Sequence, residues 1–325
     1  MSYVLFLVGF AVLIKGADVL VEGAADVARR LRISDLVVGL TIVAFGTSAP
    51  ELTVSLLANL KGRPDLTVGN VIGSNIINVL LVLGVAALLR PLTVARSALR
   101  VQIPFSVLAV VVLGILANDA PLGRTGRSEL SRADGLTLLV FLAVFFGYIF
   151  YSLRSGRSLG VRAPALPGGR SPLLSAGLII LGLAGLFFGG QWVVAGAVEI
   201  ARRFHLSESL IGLTIIAVGT SLPELATSVV AALKKNSDIA IGNIVGSNIM
   251  NIFWILGASA AVNPIPLRIG TWTARTNVDL LVCLLSGLLL FALPFLNKDR
   301  RLTRSHGFVL VLGYVLYTIY LFVRD

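Results

Sequence analysis

Long apolar runs alternate along the chain with short polar breaks. Set against Gly, Pro and charged positions, ten runs stand out, near 2–22, 35–60, 67–89, 100–117, 134–153, 172–199, 207–233, 239–261, 273–294 and 306–323. A helix needs roughly 20 apolar residues to cross about 30 Å of hydrocarbon. Barrel strands are shorter and alternate in polarity, so these unbroken runs predict helices. The expected fold is an all-α polytopic membrane protein with ten transmembrane helices.

Composition narrows the picture further. Of 325 residues, 56% are hydrophobic and 13% charged, and the mean hydropathy is +0.93. Soluble domains carry roughly 25% charged residues. That deficit excludes an ordinary cytosolic enzyme, a disordered chain and a nucleic-acid-binding module. The net charge of +11 is then a topology signal rather than a phosphate-binding one. A single cysteine, Cys283, allows no intrachain disulfide, and two histidines, His205 and His306, cannot build a Cys/His metal cluster. The N-terminus has no basic segment and no convincing small-residue cleavage site, and reads as a retained helix.

Lysine and arginine are unevenly shared between alternate connections. Those after the odd-numbered runs hold 16 and the opposite set 10, which predicts that the first set is cytoplasmic and both termini lie outside. The segment 154–171 is the longest polar stretch and is rich in Gly, Pro and Arg. It reads as a flexible cytoplasmic linker between two halves, 1–153 and 172–325.

Those halves repeat each other. GLTIVAFGTSAPELTVS at 39–55 returns at 212–228 as GLTIIAVGTSLPELATS, and GNVIGSNIIN at 69–78 returns at 242–251 as GNIVGSNIMN. Both pairs share an offset of 173 residues, as do Arg29-Arg30 with Arg202-Arg203 and Pro91 with Pro264. Five spans per half is an odd number, so the second copy enters the membrane from the opposite side. Two inverted five-helix repeats are a transporter architecture, with ligands at midplane supplied by interrupted helices.

The repeated motifs carry suitable chemistry. Pro50 lacks an amide hydrogen and cannot bond the Gly46 carbonyl. Carbonyls freed there can face a cavity beside the hydroxyls of Thr47 and Ser48, with Glu51 one turn beyond Thr47. Span seven repeats this with Gly219, Thr220, Ser221, Pro223 and Glu224. Oxygen-only ligands suit hard cations such as Ca²⁺ or Na⁺. An ionised carboxylate at mid-bilayer costs at least about 2.5–3.5 kcal/mol, and two sharing a cavity repel; one divalent cation removes both penalties. The alternative is a Gly/Pro kink whose glutamates are protonated or hydrogen-bonded, which explains one motif more readily than two symmetric copies. Ser74 and Asn78 share one helical face in the second motif, as do Ser247 and Asn251. They can complete a cation shell or serve as interhelical hydrogen bonds. Asn75 and Asn248 point off that face and take the structural role. Lys15 with Asp18 and Arg275 with Asp279 read as local ion pairs, and Glu22, Asp26 and Glu199 as interfacial.

At these residues the chain resembles the cation/Ca²⁺ exchanger superfamily, most closely its prokaryotic Na⁺/Ca²⁺ exchangers, whose paired α-repeats correspond to 39–84 and 212–257. The resemblance implies a core of spans two, three, seven and eight, with spans one and six sliding against it to give alternating access. It implies that Glu51 and Glu224 hold Ca²⁺ and share flanking Na⁺ sites. Thr47, Ser48, Thr220 and Ser221 would add hydroxyl or carbonyl oxygens, and the carbonyls of Ala44 and Ala217 would serve Na⁺. Ser74, Asn78 and Ser247 fall on the remaining liganding positions. Asn251 stands where several Na⁺/Ca²⁺ exchangers carry Asp, whereas H⁺-coupled relatives often have an amide.

The expected activity is secondary antiport of Ca²⁺ against Na⁺ in a prokaryotic plasma (inner) membrane, with H⁺ as the alternative counter-ion. The ions are cargo: no cofactor is expected, and no partner beyond the lipid bilayer, neither nucleic acid nor an obligate protein. An intramembrane serine hydrolase using Ser48 or Ser221 would need a base within reach. No histidine lies deep in a span, and duplicating the motif has no catalytic rationale.

Overall fold

The computed structural model describes residues 2–118, 128–155, 171–203, 217–267 and 271–324. Helices dominate. In chain order they are α1 (Ser2–Leu31), α2 (Asp35–Thr47 and Ala49–Leu60), α3 (Pro64–Leu89), α4 (Ala98–Leu116) and α5 (Arg132–Arg154) in the first half. The second half holds α6 (Pro172–Arg203), α7 (Ala217–Thr220 and Leu222–Leu233), α8 (Ser237–Val262), α9 (Thr271–Ala292) and α10 (Arg304–Arg324). Eight of them are long and apolar enough to cross a membrane as single helices, and the two segments of α2 form a ninth span bent by 45°. The apolar run predicted to open α7, 207–216, lies outside the described residues, as does most of the linker 154–171.

The two halves pack as an inverted repeat. Glycines recur every seventh residue in α1 at Gly9, Gly16 and Gly23, and at Gly182, Gly189 and Gly196 in α6, again 173 apart. Gly9 faces Val193, Gly16 faces Leu186 and Gly23 faces Ile179, so the helices run antiparallel. A Cβ on Gly16 would lie 2.7 Å from the Leu186 backbone nitrogen; only glycine permits this approach, the usual basis of close helix packing in membranes. Elsewhere α5 packs on α8 and α10 on α3, as the internal symmetry requires.

Short strands report the same topology. β1 (Leu92–Thr93) pairs antiparallel with β4 (Arg301–Leu302), and β2 (Ser128–Leu130) with β3 (Ile265–Leu267). The first pair joins the connections after α3 and α9, the second those after α4 and α8. Odd connections meet odd and even meet even, as a ten-span path demands. The fold is all-α, with ten transmembrane helices in two inverted five-helix repeats.

The centre belongs to α3 and α8. In their most apolar windows 78% and 94% of residues are buried, against 17% in α10. Outward-facing Val, Leu and Phe of the peripheral helices form the surface expected of a chain solvated by lipid tails. Among the charged groups read as locally paired, Lys15 meets Asp18 at 2.7 Å, and Lys234, just past the end of α7, joins them. For Asp279, read as the local partner of Arg275, the structure adds α10: Arg324 lies 2.7 Å away and the Tyr317 hydroxyl donates at 3.0 Å. This partnership joins residues 45 apart in sequence, which a local reading cannot see.

Candidate ion-binding site

The site begins with two broken helices. In α2 the α-helix stops at Ser48, whose φ and ψ are −83° and 3°, and restarts with Pro50 in its first turn. In α7 it stops at Ser221, at −90° and 6°, and restarts with Pro223. Proline is tolerated in a first turn because its missing N–H has no intrahelical partner there. The carboxylates of Glu51 and Glu224 thus sit in the first turns of the restarting helices, beside the positive end of the dipole. Both residues are about 1% exposed.

The breaks face each other. Ser48 of α2 donates to Glu224 Oε1 of α7 at 3.3 Å, and Ser247 of α8 donates to the same oxygen at 3.3 Å. Thr47 donates across the interface to Asn243 Oδ1 at 3.1 Å, and Thr220 donates to Asn70 Oδ1 at 3.4 Å. Asn70 and Asn243 in turn donate to Ser55 and Ser228 of their own halves, each at 2.9 Å. Each threonine of one half is therefore tied to the second motif of the other. Asn70 and Asn243 are not among the site residues expected from the sequence. The signal was present, since both belong to the repeated Gly-Asn pair at offset 173.

The remaining polar atoms point to a ligand. Glu51 Oε1 and Oε2, Glu224 Oε2, Ser74 Oγ, Asn78 Oδ1, Ser221 Oγ and Asn251 Oδ1 are all buried without a hydrogen-bond partner. Leaving one such group unmet costs about 1–3 kcal/mol, more for a charged one. Every atom in the set is oxygen. Among the described residues no three His, Cys, Asp or Glu side chains gather, so the set amounts to two carboxylates with neutral oxygens. That donor set fits a hard cation and gives no soft or nitrogen ligand to a transition metal.

The structure thus brings together Glu51, Glu224, Ser48, Ser247 and the threonine–asparagine ties. Ser74, Asn78, Ser221 and Asn251 are buried with unmet oxygens. The Ala44 carbonyl accepts from the Ser48 N–H at 3.0 Å and the Thr47 hydroxyl at 3.4 Å, so it is engaged within its own helix in this conformation. Ala217 opens the described part of α7. Asn78 begins a π-helical turn, Asn78–Leu83, and Asn251 lies in another, Met250–Leu256. Such wide turns are common at functional sites because they re-aim side chains.

A cavity of about 380 Å³ adjoins the break in α2, lined among others by Thr47, Pro50, Leu183, Phe187 and Pro223. It separates the start of the Ala49–Leu60 segment from α6. On the other half α1 packs directly along Leu222–Leu233, and Lys234 at the end of that segment donates to the Asp18 backbone carbonyl at 3.1 Å.

Comparison with known proteins agrees with this architecture. The model of the family described as "Sodium/calcium exchanger protein" matches residues 1–152 and 174–323. The chain is 40% identical to the putative antiporter CaxA of Alkalimonas amylolytica, covering 97% of each chain. It is 30% identical to the sodium/calcium exchanger MaX1 of Methanosarcina acetivorans, covering 99% of this chain and 98% of that one. Solved structures of the sodium-calcium exchanger NCX_Mj superpose with a TM-score of 0.79 at 31% identity, covering 97% of this chain and 96% of that one. These relatives are transporters, not enzymes. The chain belongs to the sodium/calcium exchanger family.

Proposed function

We propose that this family member exchanges Ca²⁺ for Na⁺ across a prokaryotic plasma membrane by alternating access, with Glu51 and Glu224 as the shared carboxylates. The observation that carries the reading is the set of buried oxygens without partners, three of them on the two glutamates. Two carboxylates and one Ca²⁺ sum to zero charge, which removes the cost of holding anions in a low-dielectric interior. Na⁺ ions bound to the same carboxylates do likewise. Either cargo licenses the switch, but both cannot bind at once, and this competition couples the fluxes. An empty site leaves two charges facing apolar barriers and discourages unproductive return.

In this proposal Ser48, Ser221, Thr47, Thr220, Ser74, Asn78, Ser247 and Asn251 supply neutral oxygens, with the carbonyls of Ala44 and Ala217 engaged in some states of the cycle. The halves 1–153 and 172–325 are joined by a cytoplasmic linker, 154–171, and both termini lie outside. A second reading, H⁺ in place of Na⁺, is favoured by one feature. Asn78 and Asn251 are neutral, so two protons suffice to discharge the site.

Reconstituted vesicles separate the two. With an imposed Na⁺ gradient and no pH gradient, Ca²⁺ accumulation is expected. Accumulation driven only by a pH gradient in Na⁺-free medium would replace Na⁺ with H⁺, and Ca²⁺ flux under neither gradient would refute the assignment altogether.

A further inference from the structure

The central helices α3 and α8 meet through four asparagines, and the ion-binding reading assigns a task to only two of them. Asn75 Nδ2 donates to the backbone carbonyl of Asn248 at 3.2 Å, and Asn248 Nδ2 donates to that of Asn75 at 3.3 Å. A backbone carbonyl can only accept, so each of these side chains must turn its NH₂ toward the other helix's main chain. Its Oδ1 then faces away and requires a donor. The donors are the two remaining asparagines. Asn251 Nδ2 reaches Asn75 Oδ1 at 2.9 Å, and Asn78 Nδ2 reaches Asn248 Oδ1 at 3.0 Å.

The consequence concerns which end of an amide meets a cation. With their NH₂ groups committed, Asn78 and Asn251 have only Oδ1 left to present, and both of those oxygens are buried without partners. A flipped amide would aim two N–H donors at a cation instead. All four residues are buried, and the orienting hydrogen bonds trace back to two main-chain carbonyls that cannot rotate.

We propose that Asn75 and Asn248 are positioning residues that fix the polarity of the ligand amides. They act crosswise: Asn75 of the first half orients Asn251 of the second, and Asn248 orients Asn78. The inference rests on the reading of Asn78 and Asn251 as ligands. It differs from plain interhelical adhesion because the effect passes through one named residue on the opposite half.

The test is the half-saturating Ca²⁺ concentration for ⁴⁵Ca²⁺ self-exchange in proteoliposomes holding Ca²⁺ on both sides, an assay that needs no counter-ion. Asn75→Ala is expected to raise it about three- to tenfold, the scale of one lost orienting hydrogen bond. In an Asn251→Ala background the same substitution should add nothing, whereas in an Asn78→Ala background it should act in full. Asn248→Ala should show the mirror pattern. Equal effects in both backgrounds would overturn the positioning role in favour of packing alone. If Asn78→Ala and Asn251→Ala themselves leave half-saturation unchanged, the ligand reading fails first and takes the inference with it. Should Asn75→Ala not be recovered folded, Asn75→Ser keeps a buried hydroxyl too short to bridge both partners. The same background dependence supports the proposal, and its absence overturns it.

Discussion

Glu51 and Glu224 occupy the same place in two nearly identical motifs, yet their surroundings differ. Glu224 Oε1 accepts from Ser48 and Ser247, while both oxygens of Glu51 are without partners, as are the counterpart hydroxyls of Ser221 and Ser74. The helices outside the core differ in parallel. On one half α1 lies along the α7 segment Leu222–Leu233, with Asp18 held by Lys234; on the other, a cavity of about 380 Å³ opens between α6 and the start of Ala49–Leu60. A repeated sequence has folded into an asymmetric molecule. In the proposed cycle, exchanging the environments of the two halves would give a second conformation with the cavity on the opposite face. That exchange is the structural content of alternating access in inverted repeats.

The latch is not repeated in the sequence. Lys234 corresponds to Lys61, but Asp18 corresponds to Gln191. The proposed second conformation would have at most a neutral contact at the matching place, so the sequence would make the two unequal in energy.

The largest expected effect removes the charge that both halves share. Glu51→Gln or Glu224→Gln should reduce Ca²⁺ uptake by vesicles to near background. Unbalancing a buried charge cluster costs roughly 3–5 kcal/mol, over a hundredfold in affinity. Near-normal uptake by either variant would end the argument. Next come the hydroxyls. Ser221→Ala deletes a buried hydroxyl oxygen left unmet until a cation arrives, worth about 1–3 kcal/mol, and should weaken Ca²⁺ binding roughly tenfold; Ser48→Ala, whose hydroxyl already serves Glu224 in this state, should weaken it less. Equal losses in calorimetric titrations would show that binding occurs from a more symmetric state than this one.

A smaller effect is expected at the latch. Lys234 and Asp18 are both partly exposed, and such pairs contribute about 0–1 kcal/mol. Lys234→Ala should therefore shift the conformational balance up to roughly fivefold toward the state that closes the cavity at the α2 break. A cysteine replacing Ala49, which lines that cavity, would report the shift as slower thiol labelling, with native Cys283 buried and silent. Unchanged labelling would deny the pair a gating role. The smallest effect concerns the turns after α2 and α7. Gly62 has φ +68°, and its counterpart Lys235 has φ +66°. A side chain in the left-handed region costs about 1–2 kcal/mol, part of which glycine forfeits as unfolded-state entropy. Lys235→Gly should raise the apparent melting temperature in detergent by about 1–3 °C.

Much of this was legible in one dimension. The ten apolar runs and the offset of 173 residues yield an inverted ten-helix bundle, because a membrane leaves few alternatives to a spanning helix. The paired motifs single out both glutamates without any geometry, since a carboxylate in an apolar run needs a reason. Asn70 and Asn243 sit in the same repeat, yet the repeat alone does not mark them as site residues. Their partners are threonines of the other half, and spacing within one motif cannot show them. The same blindness left Asp279 with only a neighbour four residues away, while Arg324 and Tyr317 reach it from α10.

What the sequence by itself determined is the set of parts and their duplication: which segments span, where they break and which acidic groups are buried. Hydrophobic length, proline chemistry and charge all act locally, so they can be read along the chain. The tertiary structure alone decided the pairing across halves, the polarity of the asparagine amides and the break in symmetry. Those depend on which atoms meet after two distant segments pack, and two halves built on the same motifs can pack in more than one way.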